Sequence, residues 1–349
     1  WLSAYFNLPF KHARAWVYCL DLQKCNLQTL PPYMGRVLNH ICIVNLCGNK
    51  LQTFPDTVES EKNNKGSFLT AVYLNKNHFH EFPSALLTQK GLSSIGLAHN
   101  QISEVPERIA NLIGLRHLSM GYNRSLPLPS NIGSLEALRT LLWQGNAVSE
   151  VPVSISQCVC LRDLNLSHNQ IDKFPNALQS IKTLRILNLC DNQLALSFEN
   201  TADWTDLREL NLNRNNLKSL SLKELNELQR LFAVGNHIQE IFIKPGGLRN
   251  LRKLHLHHNQ LRFLPETLGS LKSLRELRLY NNRLENLPES IGNLEQLRYL
   301  SLDRNNLTAL PGSIGNLKKL EQLEISENNL PDTEKARIQS LLPHTYVRF

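Results

Sequence analysis

Residues 297–311 read LRYLSLDRNNLTALP. Leucines stand at Leu297, Leu300, Leu302, Leu307 and Leu310, Asn305 lies between them, and Pro311 closes the segment. The template LxxLxLxxNxLxxLP returns at 274–288 (LRELRLYNNRLENLP), 251–265 (LRKLHLHHNQLRFLP) and 161–175 (LRDLNLSHNQIDKFP). Its asparagine recurs at Asn49, Asn77, Asn100, Asn123, Asn146, Asn169, Asn192, Asn215, Asn236, Asn259, Asn282, Asn305 and Asn328, and an earlier, degenerate copy carries Cys25 there. Most steps are 23 residues; the exceptions are 24 (Cys25 to Asn49), 28 (Asn49 to Asn77) and 21 (Asn215 to Asn236). A period of this length marks a chain built by stacking one unit on the next.

Each letter has a physical reason. Alternate residues of LxLxx point to opposite faces of a strand, so the leucines go inward and the variable residues outward. Neighbouring copies pair these short strands into one parallel sheet. The asparagine amide both donates and accepts, so it can satisfy backbone groups where the chain leaves the strand, forming an internal ladder. Proline cannot donate to a ladder and suits the bend that follows. Each copy buries about five aliphatic side chains at roughly 1.5–3 kcal/mol each. Ordering costs on the order of 1–2 kcal/mol per residue, so one copy cannot stand alone. The expected fold class is an α/β repeat solenoid, a curved horseshoe with a parallel concave sheet and short helical or 3₁₀ convex segments.

The ends depart from the repeat. Residues 1–16, with Trp1, Tyr5, Phe6, Phe10 and Trp16, are expected to form an N-terminal cap; 17–330 is the solenoid of about 14 repeats; and 331–349 is a C-terminal cap. In that last stretch a short helix capped by Asp332 or Thr333, with Glu334 in its first turn, precedes a closing strand at 346–349. The first residue is Trp1 rather than Met, which reads as a fragment or a processed chain. The polar stretch 56–67 is an insertion expected to loop away from the strand face. The LP step is missing near 195–206, and the return near 241–248 is short and carries Pro-Gly-Gly, so a local change of curvature is expected at both.

The net charge of +8 is spread evenly with no polybasic run, which gives no nucleic-acid footprint. Seven cysteines, an odd number without CxxC spacing, are read as small buried thiols in a reducing compartment, and hence a cytoplasmic protein. No run of 18 apolar residues exists to span a membrane. A glycine-rich phosphate loop, HExxH and GxSxG are all absent, so no catalytic residue is assigned and an enzyme is not expected.

These copies, with their LPxxIGxLxxL returns, resemble the leucine-rich-repeat superfamily, and specifically the intracellular 23-residue class of Scribble-like scaffolds, plant Ras-group-related repeats and many bacterial proteins. The ending TEKARIQSLLPHTYVRF looks like a terminal cap common in bacterial members. The resemblance covers nearly all of 17–349. It implies a leucine-rich-repeat horseshoe that binds proteins, and it names no partner. The repeats differ from those of bacterial ubiquitin-ligase effectors, which are nearer 20 residues.

The variable strand positions change character along the chain. Asn45, Tyr73, Gly96, Ser119, Leu142, Asn165 and Asn188 are mostly small or neutral. From Asn211 onward come Phe232, His255 and Arg278, flanked by Arg214, Arg230, Lys253, His257, His258, Tyr280, Tyr299 and Arg304. Five strands about 4.8 Å apart spread this patch over roughly 20 Å. Arginine and tyrosine are enriched among interface hot spots. The partner-binding residues assigned are Arg214, Arg230, Phe232, Lys253, His255, His257, Arg278, Tyr280, Tyr299 and Arg304. The expected partner is a protein with an acidic, partly apolar surface, and no small-molecule substrate or cofactor is expected. His255 and His257 share a face, but a metal site needs three or four ligands, and Phe232 and Arg278 stand on the adjacent strands, so no metal is assigned. A pH-sensitive contact fits the cluster better. The function expected is a scaffold or adaptor; the alternatives are a secreted bacterial effector in a host cytoplasm, or the recognition part of an enzyme whose catalytic part lies outside this chain.

Overall fold

The computed structural model describes residues 17–31, 33–38, 40–55, 69–199, 204–222 and 225–349. The expected N-terminal cap and the 56–67 insertion lie outside the described residues. The repeat strands build one parallel sheet of 15 strands, from Val17–Asp21 to Tyr346–Arg348, each beside the strand of the next repeat. Register is kept at the leucines: Leu254 lies beside Leu277, Leu277 beside Leu300, and Leu300 beside Leu323. In the copy at 274–288, Leu274, Leu277, Leu279 and Leu284 are wholly buried, so the inward half of the alternation forms the core.

The asparagine ladder runs through the described repeats from Asn49 to Asn328. In a typical rung, the Asn259 side-chain amide donates to Leu256 O (2.9 Å) and to Ala233 O of the preceding repeat (2.9 Å), while its Oδ1 accepts from Ile238 N (3.0 Å). The residue before each rung is left-handed: His99, Tyr122, His168, Asp191, Arg214, His258, Asn281, Arg304 and Glu327 all have φ between 51° and 56°. Side chains resist this conformation by roughly 1–2 kcal/mol each, and the buried rung beside it holds the turn.

The convex return is a 3₁₀ turn where the sequence has LP. Pro106, Pro152, Pro175, Pro265, Pro288 and Pro311 sit at the N-terminal boundary of these turns, their fixed φ already suited to the bend. The glycine of the IG step is steric. A Cβ on Gly292 would lie 2.5 Å from Ser313 O of the next repeat, and one on Gly269 would lie 2.6 Å from Ser290 O.

Where LP is missing, the return is different in kind. Ala195–Glu199, Asn216–Leu222 and Glu240–Ile243 form a second, three-stranded parallel sheet. The sequence led only to an expected change of curvature; the strands form because inward and outward residues alternate over 219–222, after a register shift between Leu217 and Ser219, and over Glu240–Ile243, and neither segment has the proline that would start a 3₁₀ turn. Trp204, next to this region, is buried, and its indole N–H donates to Leu178 O (2.9 Å).

The C-terminal stretch forms a helix, Asp332–Leu341, and the strand Tyr346–Arg348, which pairs in parallel with Gln322–Glu324. The expected helix cap is corrected. Pro331 occupies the boundary with no side-chain cap, and Glu334 instead reaches back to accept Leu310 N (2.9 Å) and to pair with Arg337 (2.6 Å). The reading of the cysteines is also corrected. Cys158 is buried, but Cys19, Cys25 and Cys160 are exposed and Cys42, Cys47 and Cys190 are half-buried; all seven are free. Among the described residues, no helix is long and apolar enough to cross a membrane.

Candidate functional site

The ten residues singled out from the sequence fall into columns on the concave face. Arg230, Lys253 and Tyr299 precede the first strand leucine, with Glu209 and Glu276 in the same column. Phe232, His255 and Arg278 follow that leucine on adjacent strands in direct register. His257 and Tyr280 occupy the next outward position, while Arg214 and Arg304 stand on the left-handed turns.

Rings connect these columns. Phe232 meets His255 edge to face (centroids 5.0 Å), His255 is 5.9 Å from His257, and His257 stacks on Tyr280 at 4.2 Å and 17°. His258 contacts the same tyrosine edge-on (5.2 Å), and the Arg278 guanidinium lies 5.2 Å from the centre of the Tyr299 ring. Beside the track lies an open depression of about 510 Å³, lined by Cys190, Asp191, Asn211, Asn213, Arg214, Phe232, Val234, His255 and His257. The structure thus brings Arg214, Phe232, His255 and His257 around one concavity and joins Arg278, Tyr280 and Tyr299 to its flank. Arg304 is apart from it, paired outward with Glu327 (2.9 Å).

The charges are matched within the face, a feature the sequence reading missed. Glu276, largely buried, ion-pairs with Lys253 Nζ (2.8 Å) and with Arg278 Nε (2.7 Å, not aligned for a hydrogen bond), and lies 3.0 Å from His255 Nε2. Arg230 pairs with Glu209 (2.6 Å) and Arg214 with Asp191 (3.4 Å), and the Tyr299 hydroxyl donates to Glu324 (2.6 Å). Most of these counter-ions lie 21 to 25 residues away in sequence, one repeat across. Aligning the copies at the repeat period would have shown them.

Burial and neighbouring charge fix the protonation states. Burial works against ionising Glu276, yet the hydrogen bond from Lys253 and the charges of Arg278, His255 and Lys253 together hold its carboxyl below the ordinary value. Burial pushes His255 down in spite of Glu276, so at neutral pH the ring is neutral and its Nε2–H donates to that carboxylate. His257 is pushed down to about 4, by burial first and then by His255, His258 and Arg278. Its Nδ1 is buried and has no hydrogen-bond partner among the described residues. Burial, followed by Glu324, raises the Tyr299 hydroxyl to about 12. Among the described residues, no three His, Cys, Asp or Glu side chains converge as a metal site.

The N-terminal half of the face, weaker on the sequence reading, also carries a ring row. His99 stacks on Tyr122 (4.5 Å, 13°), Tyr122 lies 6.3 Å from His168, and His168 is 3.6 Å from Asp191, which connects the row to Arg214. All of these residues, Asp191 and Arg214 included, stand immediately before ladder asparagines in the same left-handed position. That recurring position was the available signal.

Comparisons with known proteins agree with this architecture. Family models match as a leucine-rich repeat region over residues 91–240, as leucine-rich repeats in two copies over 249–293, and as a leucine-rich repeat over 272–330. The chain is similar to a leucine-rich-repeat protein of Leptospira interrogans, with 27% identity and a TM-score of 0.62 over 95% of each chain. It is similar to a plant peptide hormone receptor solved in complex with RGF2, with 25% identity and a TM-score of 0.70 over 86% of this chain, spanning 53% of the receptor chain. An internalin of Listeria monocytogenes matches over 90% of this chain and 88% of its own with a TM-score of 0.70; at 20% identity the likeness is one of fold. No curated protein matched the sequence.

Proposed function

This chain belongs to the leucine-rich-repeat superfamily, whose members generally mediate protein–protein interaction, and on that premise we propose that it is a scaffold or adaptor binding a protein on the concave face between Asn211 and Arg304. One observation carries the proposal: the continuous ring track Phe232–His255–His257–Tyr280 beside an open concavity. Aromatic groups backed by fixed neighbours supply contact area with little loss of side-chain freedom, which is why they concentrate binding energy. The cations of the face are held by Glu209, Glu276, Asp191 and Glu327, so the rings rather than net charge provide most of the attraction. The partner surface is partly apolar, and its acidic groups orient it. Seven free thiols support a reducing, cytoplasmic setting.

A second reading, an effector that captures a host protein, draws on the likeness to the Leptospira chain over nearly the whole of both lengths. Affinity capture with the 349-residue chain, followed by titration of the captured protein against the wild type and the Phe232→Ala/Arg278→Ala/Tyr280→Ala variant, tests the site. Equal affinity for both forms removes the concave face from the proposal.

A further inference from the structure

One rim of the sheet carries a column of arginines that the concave site does not use. They stand at the residue after the first leucine of each copy, just before the strand. Their backbones are in register: Arg139 N donates to Arg116 O (2.8 Å), Arg162 N to Arg139 O (2.8 Å), Arg185 N to Arg162 O (2.7 Å) and Arg208 N to Arg185 O (2.8 Å). After Gln229 the column resumes at Arg252, Arg275 and Arg298, and the last of these pairs with Glu321 (2.6 Å). Among the described residues, none of the column arginines before Arg298 has a carboxylate within ion-pairing distance, in contrast to the cations of the concave patch. The nearby acids are engaged elsewhere: Glu209 with Arg230 (2.6 Å), and Asp163 with the Thr140 hydroxyl (3.4 Å). Arg185 Nε is buried with no hydrogen-bond partner among the described residues.

A second row of donors accompanies the column. Asn188 and Asn211 use their Oδ1 atoms to accept their own strand's N–H two residues on, from Cys190 (3.0 Å) and Asn213 (3.1 Å), and Asn165 does the same with Ser167 (3.0 Å). That bond fixes each amide and leaves its NH₂ group facing the concave side. Asn165, Asn188 and Asn211 are in direct register and stand three residues after Arg162, Arg185 and Arg208. Three adjacent strands therefore each present a guanidinium and a carboxamide, all donors, repeated about every 4.8 Å.

We infer that this rim is a docking surface for an extended acidic segment of the partner protein, with carboxylates on the arginines and backbone carbonyls on the asparagine amides. The inference rests on the proposal that the concave face binds a protein, and it places the partner's acidic part on the rim. Guanidinium matches carboxylate in a planar, two-pronged fashion. The five consecutive arginines span roughly 19 Å, the length of about six extended residues. Single-stranded nucleic acid fits less well, because it needs stacking rings beside its basic track, whereas these three strands present Asn165, Asn188, Asn211 and the aliphatic Ile186.

The probe is a fluorescein-labelled peptide of alternating Glu and Ser, about ten residues long to exceed that span, followed by anisotropy with the full chain. Binding is expected to weaken at least tenfold in Arg139→Gln/Arg162→Gln/Arg208→Gln, to fall as salt rises from about 50 to about 200 mM, and to vanish for the Gln–Ser peptide. Unchanged affinity in the triple variant, insensitivity to salt, or tighter binding of a single-stranded oligonucleotide than of the peptide overturns the inference. A melting curve reports whether the triple variant folds; if it does not, the single Arg139→Gln variant and the salt titration decide. The Phe232/Arg278/Tyr280 variant separates the two proposals. It should retain the acidic peptide while losing the captured protein; if rim variants leave the peptide untouched while that variant still loses the captured protein, the rim fails and the concave site stands.

Discussion

Replacing Asn282 by alanine removes one rung of the ladder, and the structure sets what is lost. The Asn282 side chain is 92% buried. Its amide donates to Leu279 O (2.9 Å) and Leu256 O (3.0 Å), and its Oδ1 accepts from Leu261 N (3.0 Å). The two carbonyls are not orphaned, because Leu256 O keeps the Asn259 amide (2.9 Å) and Leu279 O keeps that of Asn305 (3.1 Å). Leu261 N–H has no second acceptor among the described residues. One stranded buried donor costs about 1–3 kcal/mol, and each carbonyl loses about 0.5–1 kcal/mol. The sum is ~2–5 kcal/mol, concentrated on two repeats because a solenoid couples mainly nearest neighbours. Native-state hydrogen exchange read by mass spectrometry is the assay, since the buried Trp143 and Trp204 lie several repeats away. At about 1.4 kcal/mol per tenfold, the Leu261 amide should exchange at least tenfold faster, while Ile171 N, bonded to the Asn192 rung (3.0 Å), should be unchanged. Equal protection at Leu261 in both proteins would refute the claim that each rung is the sole acceptor for one backbone donor.

Three further outcomes follow. Alanine at Phe232, Arg278 and Tyr280 together should weaken binding of the captured protein tenfold or more, about 1.4 kcal/mol, by calorimetric titration. Gly292→Ala should lower the urea midpoint by the equivalent of about 1–3 kcal/mol, as overpacking does, because its Cβ would meet Ser313 O at 2.5 Å; Gly312→Ala, with open space around it, should not. His257, held at about 4 in the fold, differs from its ordinary value of 6.5. As pH falls from about 6.5 to about 4 the unfolded chain takes up a proton that the folded chain refuses, so stability present above 6.5 is lost across that window, by at most ~3 kcal/mol. A His257→Gln variant should show a flatter melting temperature from pH 6.5 to 4, and parallel profiles would remove His257 as the cause.

The ladder and core were legible because they are periodic: Leu277, Leu279 and Asn282 recur at a spacing that no single repeat needs to explain. The second sheet was half legible. The missing LP steps marked its place, but the short alternation SLSL at 219–222 was the evidence for strands rather than altered curvature, and the three-residue step from Leu217 to Leu220 obscured it. The helix cap was misplaced because Asp332 and Thr333 are good capping residues in isolation, whereas Pro331 already sets the entry and Glu334 is drawn to Leu310 N across the repeat boundary. The cysteine reading failed for a related reason: Cys160 lies in a repeat but on its outward side. In the candidate site, residue types were legible and their pairing was not, since Arg230 and Glu209 are 21 residues apart in sequence and 2.6 Å apart in space.

Glu276 shows why that pairing alters the chemistry of the face. Without it, Lys253 and Arg278 would form a cationic spot that attracts any acidic surface, while His255, deprived of the one neighbour that favours its charged form, would stay neutral. With it, the three groups are held by one largely buried carboxylate, and His255 is neutral. A partner carboxylate approaching Arg278 must compete with a 2.7 Å contact already made. An exchange of one exposed ion pair for another gains about 0–1 kcal/mol, too little to carry recognition. The rings beside Glu276 have no such competitor; His255 and His257 are already largely buried and back the track, and half-buried Phe232 and Tyr280 present the apolar area that a partner can still cover. In the proposed complex, charge on this face therefore fixes the rotamers of Arg278 and Lys253 and sets the approach direction, and the ring track supplies the affinity. The rim arginines from Arg116 to Arg208, without a carboxylate partner among the described residues, are where the proposed acidic segment would meet charge that is still available.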